Sequence, residues 1–408
     1  MQLSLLEQAV LETYAESDGA VDNETAYNLI ADKMNLSEKE RNEVAPVGKT
    51  KTLRNLFHRS VRWCQQNLKA KKLLLNPSRG KWEIIKAKKD ELHAIEQGKS
   101  IIAMSTSLGV AICSRNETVF GEGLIDEPIH LLITSPPYPL RIARNYGNEN
   151  QKEYVNWLMK ILKPIVERLD DGGSVVINIS NDIFLEKMPA RSSYWHRLII
   201  ELEDQLGLYL MDTVPWESNK IPTPIQWASK TRYQMNATWE PCIWMTNNPL
   251  KCYASNQRVL QPHTEQHKKL MASGGLKKSA VHGDGAYRKP VGAFGNVTEG
   301  KIQRNILKIS NYCKSGREVS KYAKALGMSS HGAKMPRALC DFWIKYLTEP
   351  DMLVVDPFYG SGTMGESAQL LGRRWVGVEM IWEYLKQSFV RFIDFDDTWV
   401  NPKFANLF

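Results

Sequence analysis

Along the first hundred residues the apolar positions fall first at helical and then at strand spacing. Leu3, Leu6, Val10 and Leu11 form one helical stripe, and Ala26, Ile30 and Met34 form a second. Ser37 followed by Glu40 reads as a capping box ahead of a short third helix. Thr52 to Leu68 predicts a basic amphipathic helix with Leu53, Leu56, Phe57, Val61 and Trp63 as its apolar members. Leu73-Leu74-Leu75, a turn over Asn76–Gly80 and the run Lys81–Ile85 predict a β-hairpin. Helices followed by a hairpin suggest a winged helix over residues 1–95, and Lys86 to about Lys99 reads as a charged connection.

From Ile101 the pattern changes, and residues 101–408 read as a second domain. Short apolar runs at Ile129–Ile133, Ser174–Ile179, Tyr209–Trp216, Pro241–Thr246, Met352–Val355 and Trp375–Glu379 predict strands. Asp171-Gly172-Gly173 is expected to turn into the second of them. Glu153–Leu169, Arg191–Leu206, Pro336–Leu347 and Thr363–Leu371 predict helices. Strands alternating with helices give the α/β class, a mostly parallel sheet covered on both faces. Residues 247–305 have weak periodicity and are rich in Gly, Lys, His and Asn, so an irregular insertion is expected there.

Composition narrows the class. The chain has 408 residues, 43% apolar and 24% charged, which suits a soluble globular protein. It shows no apolar run of membrane-spanning length and no cleavable leader, so a cytoplasmic protein with no membrane partner is expected. The six cysteines are scattered without metal-ligand spacing, which predicts reduced thiols and no metal. The net charge of +8 is concentrated. Between Lys49 and Lys89 stand Arg54, Arg59, Arg62, Lys69, Lys71 and Lys72 among thirteen basic residues, opposed only by Glu83. A second basic stretch, Lys251 to Lys308, includes Lys268, Lys269, Lys277, Lys278 and Arg288. Two such stretches point to a polyanion partner.

Two segments carry candidate chemistry. Asp356-Pro357-Phe358-Tyr359-Gly360-Ser361-Gly362-Thr363 joins a strand to a helix, and with Gly365 its glycines satisfy G-x-G-x-x-G ahead of the acidic Glu379. A dinucleotide site is the obvious competitor. Asp356, however, would oppose a pyrophosphate and suits the ammonium group of S-adenosylmethionine. Only 29 residues (408 − 379) follow Glu379, so the remaining strands are expected upstream, in a circularly permuted order. Glu379 is placed to accept from ribose hydroxyls, and Phe358 can lie along the cofactor.

The second segment, Thr134-Ser135-Pro136-Pro137-Tyr138, leaves a strand through two prolines. An exocyclic base amine is a poor nucleophile because its lone pair is delocalised into the ring. Acceptors at Ser135 Oγ and the Pro136 carbonyl would bind its hydrogens and turn the lone pair out, and Tyr138 can stack on the base. No covalent intermediate is needed, and Cys242 reads as a core thiol. A base in a duplex must flip to reach such a pocket.

With DGGSVVINIS, WESNKIPTP, Arg232, Trp239-Glu240, HGAKMPRALCDFWIKYL and GRRWVGVEMIWEYL added, residues 110–395 resemble the permuted DNA amino-methyltransferase family. That resemblance implies a Rossmann-like S-adenosylmethionine-dependent methyltransferase sheet. It also implies a loop at His331–Pro336 with Lys334 and Pro336 near the methionine end of the cofactor. The 247–305 insertion would be the target-recognition region. The serine heading the catalytic segment resembles the N4-cytosine enzymes, which implies host protection beside a separate restriction endonuclease. N6-adenine methylation by the same fold, an idle DNA-binding regulator and an RNA substrate remain alternatives, and a homodimer is compatible with the family. Arg115-Asn116 stand where the family commonly has Gly-Asp, and Gly332 where a proline is usual. The segment RSVRWCQQNLKAKKLLLNPSRGKWEI resembles the amino-terminal winged-helix domain of Mrr-like restriction proteins.

Overall fold

The computed structural model describes residues 5–17, 19–47, 51–70, 73–84, 92–140, 149–220, 223–283, 285 and 287–405. The amino-terminal region contains α1 (Leu5–Glu16), β1 (Val21–Asp22), α2 (Asn23–Lys33), α3 (Glu38–Asn42), β2 (Val44–Val47), β3 (Thr52–Asn55), α4 (Leu56–Ala70), β4 (Leu74–Ser78) and β5 (Lys81–Ile84). These elements close over a core of their own that includes Val10, Leu11, Tyr14, Ile30, Val61, Leu68, Leu74 and Trp82. Ser37 and Glu40 form the reciprocal capping box at α3, the glutamate accepting from Ser37 N at 2.8 Å. β4 and β5 make the antiparallel wing, extended by β1.

The basic helix starts four residues later than its pattern suggested. Thr52–Asn55 pair with Val44–Val47 instead. Asn55 Oδ1 then accepts from His58 N at 2.8 Å, which caps the first turn of α4. α4 buries Val61, Cys64, Gln65 and Leu68. Leu53 and Trp63 do not join that face and are 67% and 63% exposed.

The second region contains β6 (Ser100–Ser105), β7 (Gly109–Ser114), β8 (Ile129–Thr134), α5 (Tyr154–Val166), β9 (Leu169–Asn178), α6 (Tyr194–Leu206), β10 (Tyr209–Glu217), β11 (Trp239–Thr246) and α7 (Glu265–Ala272). It continues with β12 (Ala280–His282), β13 (Tyr287–Lys289), β14 (Leu307–Lys308), α8 (Lys314–Ala325), α9 (Arg337–Leu347), β15 (Leu353–Asp356), α10 (Thr363–Leu370), β16 (Arg374–Glu379), α11 (Trp382–Ser388) and β17 (Trp399–Val400). Ten of these strands form one sheet in the order β14-β10-β11-β9-β8-β15-β16-β7-β6-β17.

The centre, β9-β8-β15-β16-β7, is parallel. The flanks are not. β6 returns on β7 through a short turn, and β11 runs antiparallel to both β9 and β10. The sheet is therefore mixed: β6–β7 is a hairpin, β10 and β11 pair antiparallel through a long connection, and only β14 on that flank runs parallel to its neighbour β10. β15 is buried on both faces. Leu353 and Val355 join the core under α5 and α6, and Val354 joins the core under α9 and α10.

Three expectations shift. Asp171-Gly172-Gly173 lies inside β9, at a register irregularity opposite Ile129–Leu131. A Cβ on Gly172 (φ +102°) would come within 2.1 Å of Lys251 O, which excludes a side chain there. Residues 247–260 are not part of an irregular excursion, since Ser255 N donates to Tyr346 O and Arg258 to Lys345 O and Tyr346 O on α9. The excursion closes at its neck, where Gln261 and Lys301 exchange two 2.9 Å backbone hydrogen bonds, and it contains α7 and the β12–β13 hairpin. The expected connection before residue 99 lies partly outside the described residues, including Lys86, Lys88 and Lys89. Its described end pairs with residues 380–382 through Ile95 N–Met380 O and Trp382 N–His93 O.

Candidate active site

β8 and β15 are parallel neighbours whose following segments leave the same end of the sheet, at the point where strand order reverses. Thr134 Oγ1 donates to Asp356 Oδ1 at 2.6 Å across that boundary. The two segments singled out in the sequence, 222 residues apart, therefore meet. Between them opens a cavity of about 460 Å³ lined by Ser135, Pro136, Pro137, Tyr138, Asp356, Pro357, Phe358, Gly360, Ser361, Thr363, Lys334 and Glu379. Its size is in the range of small-molecule sites.

The glycine turn is built by close approach. Gly360 sits at φ +52°, and its N–H donates to Glu379 Oε2 at 2.8 Å. Gly362, at φ +81°, precedes α10 and does not line the cavity; a Cβ there would lie 2.7 Å from Ser388 Cβ. Tyr359 turns inward and stacks on Trp375 at 5.9 Å. A Cβ on Gly377 would fall 2.0 Å from the Tyr359 ring, and one on Gly365 would fall 2.5 Å from its hydroxyl. The third glycine of the pattern thus makes room for tyrosine.

Arg391, 1% exposed, clamps the turn from behind. It donates to Ser361 O at 2.6 Å and Thr363 Oγ1 at 3.0 Å, and pairs with the buried Glu366. Sequence reasoning missed it, since one arginine in a mixed helical run carries no spacing signal.

Two carboxylates face the cavity. Burial pushes Asp356 up to about 7, against the lowering pull of Thr134 and the Phe358 N–H. Burial likewise pushes Glu379 up to about 7, opposed by the Ile381 and Gly360 N–H groups. Among the described residues neither forms an ion pair. Asn116 also reaches the cavity, donating from Nδ2 to Pro357 O at 2.8 Å, while its buried Oδ1 has no hydrogen-bond partner among the described residues. Phe358 packs against Trp157.

Lys334 spends its ammonium within the protein, donating to Ser320 Oγ (3.0 Å), Ser330 Oγ (3.2 Å) and His331 O (2.7 Å). Burial lowers it to about 8. Pro336 departs from its expected place. It is the residue before α9 and lines a neighbouring cavity, because the chain must turn there to start the helix.

At the other wall, Ser135 Oγ lies 3.1 Å from Tyr138 Oη. Both hydroxyls face Asn178 Oδ1, at 3.4 and 3.2 Å, and Tyr138 Oη also donates to Glu240 Oε2 at 3.3 Å. Lys220 pairs with Glu240 at 3.2 Å. A second cavity of about 570 Å³ begins here and includes Trp216, Asn219, Arg317 and Gly332. Asn178, Lys220 and Asn116 were not foreseen as site residues. Cys242 is buried beside Asn178, and burial raises its thiol to about 12.

The basic candidates lie elsewhere. Arg54 on β3 and Arg59, Arg62 and Lys69 on α4 are exposed, as are Lys268, Lys269, Lys277, Lys278 and Arg288 on the excursion. None lines either cavity. Lys49, Lys71 and Lys72 lie outside the described residues.

Comparison with known proteins places these features in context. A family model described as DNA methylase matches residues 129–390, and one for the Mrr N-terminal domain matches residues 5–93. The type II methyltransferase M.PvuII of Proteus hauseri is 33% identical over 277 residues, covering 67% of this chain and 80% of that protein. M.ScaI of Streptomyces caespitosus is 23% identical over 62% of this chain and 72% of its own length. Among solved structures, one described as PvuII DNA methyltransferase (cytosine-N4-specific) superposes with a TM-score of 0.56 at 29% identity, covering 74% of this chain and 91% of that one.

Proposed function

We infer the activity from one premise: this chain belongs to the DNA methylase family. It transfers a methyl group from S-adenosylmethionine to the N4 amine of cytosine in double-stranded DNA, as the modification enzyme of a restriction–modification system. The observation that carries this is the meeting of the Ser135–Tyr138 turn and the glycine turn in one cavity across the Thr134–Asp356 hydrogen bond. The choice of N4-cytosine draws on Ser135 at the head of the catalytic segment and on the specificity printed for the 29%-identical structure.

The residues fit the cofactor. Asp356, buried without a cation of its own, suits an ammonium group, and Glu379 suits ribose hydroxyls. The unpartnered Asn116 Oδ1 suits the amine of adenine, and Phe358 and Ile381 line the cavity beside it. When bound, the cofactor supplies an electrophilic methyl group on a sulfonium. Ser135 Oγ and the Pro136 carbonyl accept the hydrogens of the target amine, which frees its lone pair, and Tyr138 bounds the base. Catalysis is positioning plus differential hydrogen bonding.

Duplex DNA is gripped by the exposed basic face of α4 and by the 261–301 excursion. α1, against which α4 packs, also packs on α8, whose first turn (Gly316, Arg317) lines the second cavity. A restriction endonuclease of the same target sequence is the expected companion.

Incubating the protein with DNA and methyl-tritiated S-adenosylmethionine, then digesting to nucleosides, tests the reading. Label in N4-methyldeoxycytidine is expected. Label in N6-methyldeoxyadenosine reverses the base assignment, and DNA without label overturns the enzyme.

A further inference from the structure

We propose that Glu240 is the final acceptor of the proton that the target amine must lose, reached through Ser135 and Tyr138. The inference rests on the methyl-transfer reading above and adds a residue to it. The N4 lone pair becomes the new nitrogen–carbon bond as the methyl–sulfur bond breaks, its electrons staying on sulfur. The nitrogen is then cationic, and one of its N–H protons has to go before neutral N4-methylcytosine is released.

The hydroxyls beside the amine cannot keep that proton. Ser135 is an alcohol, and burial pushes the Tyr138 phenol well above its ordinary range, so neither is a base near neutrality. The Asn178 side chain, 3.4 Å from Ser135 Oγ and 3.2 Å from Tyr138 Oη, is an amide and accepts hydrogen bonds without taking protons. Glu240 is the carboxylate in the cluster.

The route is continuous. Ser135 Oγ and Tyr138 Oη are 3.1 Å apart, and Tyr138 Oη donates to Glu240 Oε2 at 3.3 Å. Ser135 Oγ takes the amine proton while its own proton passes to Tyr138 Oη, and the Tyr138 proton passes to Glu240. Three bonds to hydrogen break and three form. The net result is one proton moved from nitrogen to a carboxylate.

Glu240 is also well placed to pass the proton on. Its side chain and that of Lys220, 3.2 Å away, are 17% and 18% exposed and line the second cavity. Among the described residues, the ionisable groups that face Glu240 include Tyr138 itself, Tyr194 from α6 and Cys242 on its own strand. Cys313, Arg317 and Lys334 stand on the same cavity wall. Lys220 is the group that balances its charge.

Glu240→Gln keeps the shape and the acceptor for Tyr138 but removes the base. Its single-turnover methyl-transfer rate should fall about 10- to 100-fold, within the span of general-base catalysis. Cofactor and DNA dissociation constants should stay at wild-type values. At saturating S-adenosylmethionine the rise of rate with pH on the acid side should vanish, and Glu240→Asp should restore it in part. Tyr138→Phe should lose the same limb, and the double variant should be no slower than the slower single one. If Glu240→Gln loses cofactor binding, Tyr138→Phe decides the question alone. A Glu240→Gln or Tyr138→Phe chain with the wild-type rate and pH profile overturns the relay while leaving the enzyme reading intact. A wild-type chain that transfers no methyl group overturns both.

Discussion

Ser361 and Thr363 are gripped by a buried arginine, Gly360 by Glu379 and Asp356 by Thr134, whereas Arg59 and Lys69 on α4 stand out in solvent. The cavity-side residues are held in position before any ligand arrives. The basic face of α4 offers charge with little built geometry. The first arrangement suits chemistry that a displacement of one ångström would ruin. The second suits a partner whose phosphates repeat along its length and can be met in many registers.

The contrast can be broken most forcefully at Arg391. Arg391→Ala removes the clamp and leaves Glu366 as a buried charge with only Arg337, 3.7 Å away, beside it. A loss of about 3–5 kcal/mol is expected in urea unfolding, with cofactor binding lost as well. Ser135→Ala should slow methyl transfer about 100- to 1000-fold, the scale for losing one transition-state hydrogen-bond partner. S-adenosylmethionine binding by calorimetry should be unchanged, since Ser135 lies on the other wall.

Acidity separates the two regions further. The folded Asp356 and Glu379 titrate near 7, above their ordinary carboxylate values. Their contribution to stability without cofactor is complete below about pH 4 and is lost as pH rises through about 7. Asp356→Asn should flatten that slope in denaturation measured from pH 4 to 8. Cofactor affinity should run the opposite way, tightening through pH 7 as Asp356 ionises toward the ammonium ligand.

The smallest effect on the fold is expected on α4 and β3. Arg54, Arg59 and Arg62 changed together to Ala should move stability by no more than about 0.5 kcal/mol per site. Fluorescence anisotropy should nonetheless show weaker DNA binding, with the log K against log salt slope shallower by about 0.9 for each phosphate that is no longer neutralised.

Much of the candidate cavity lining was legible because the chemistry proposed for it restricts residue choice. An amine acceptor ahead of two prolines and a glycine turn with an acidic neighbour are narrow signatures, and their order announced the permuted sheet. Glu240 was visible only as part of a resemblance, and nothing along the chain set it beside Tyr138. Asn178 and Arg391 were silent because sheet pairing and helix packing, not spacing, bring them in. Register was equally hidden. Asn55 looks like any polar residue in a basic helix until Val44–Val47 pair with Thr52–Asn55 and make it the cap. α8 carries too few apolar residues to separate from loop, whereas β6 and β7 are apolar runs (Ile101–Met104 and Val110–Cys113) whose pairing no spacing announces.

The Thr134–Asp356 bond also fixes what kind of object this enzyme is. One partner is encoded before the excursion that closes at Gln261 and Lys301, the other after it. A gene divided inside that excursion would yield two polypeptides, one carrying Ser135–Tyr138 and one carrying the glycine turn, neither with the whole cavity lining. Their reunion, with β15 and β16 inserting between β8 and β7, would rebuild the cleft, making methylation a readout for whether two separately made pieces have found each other.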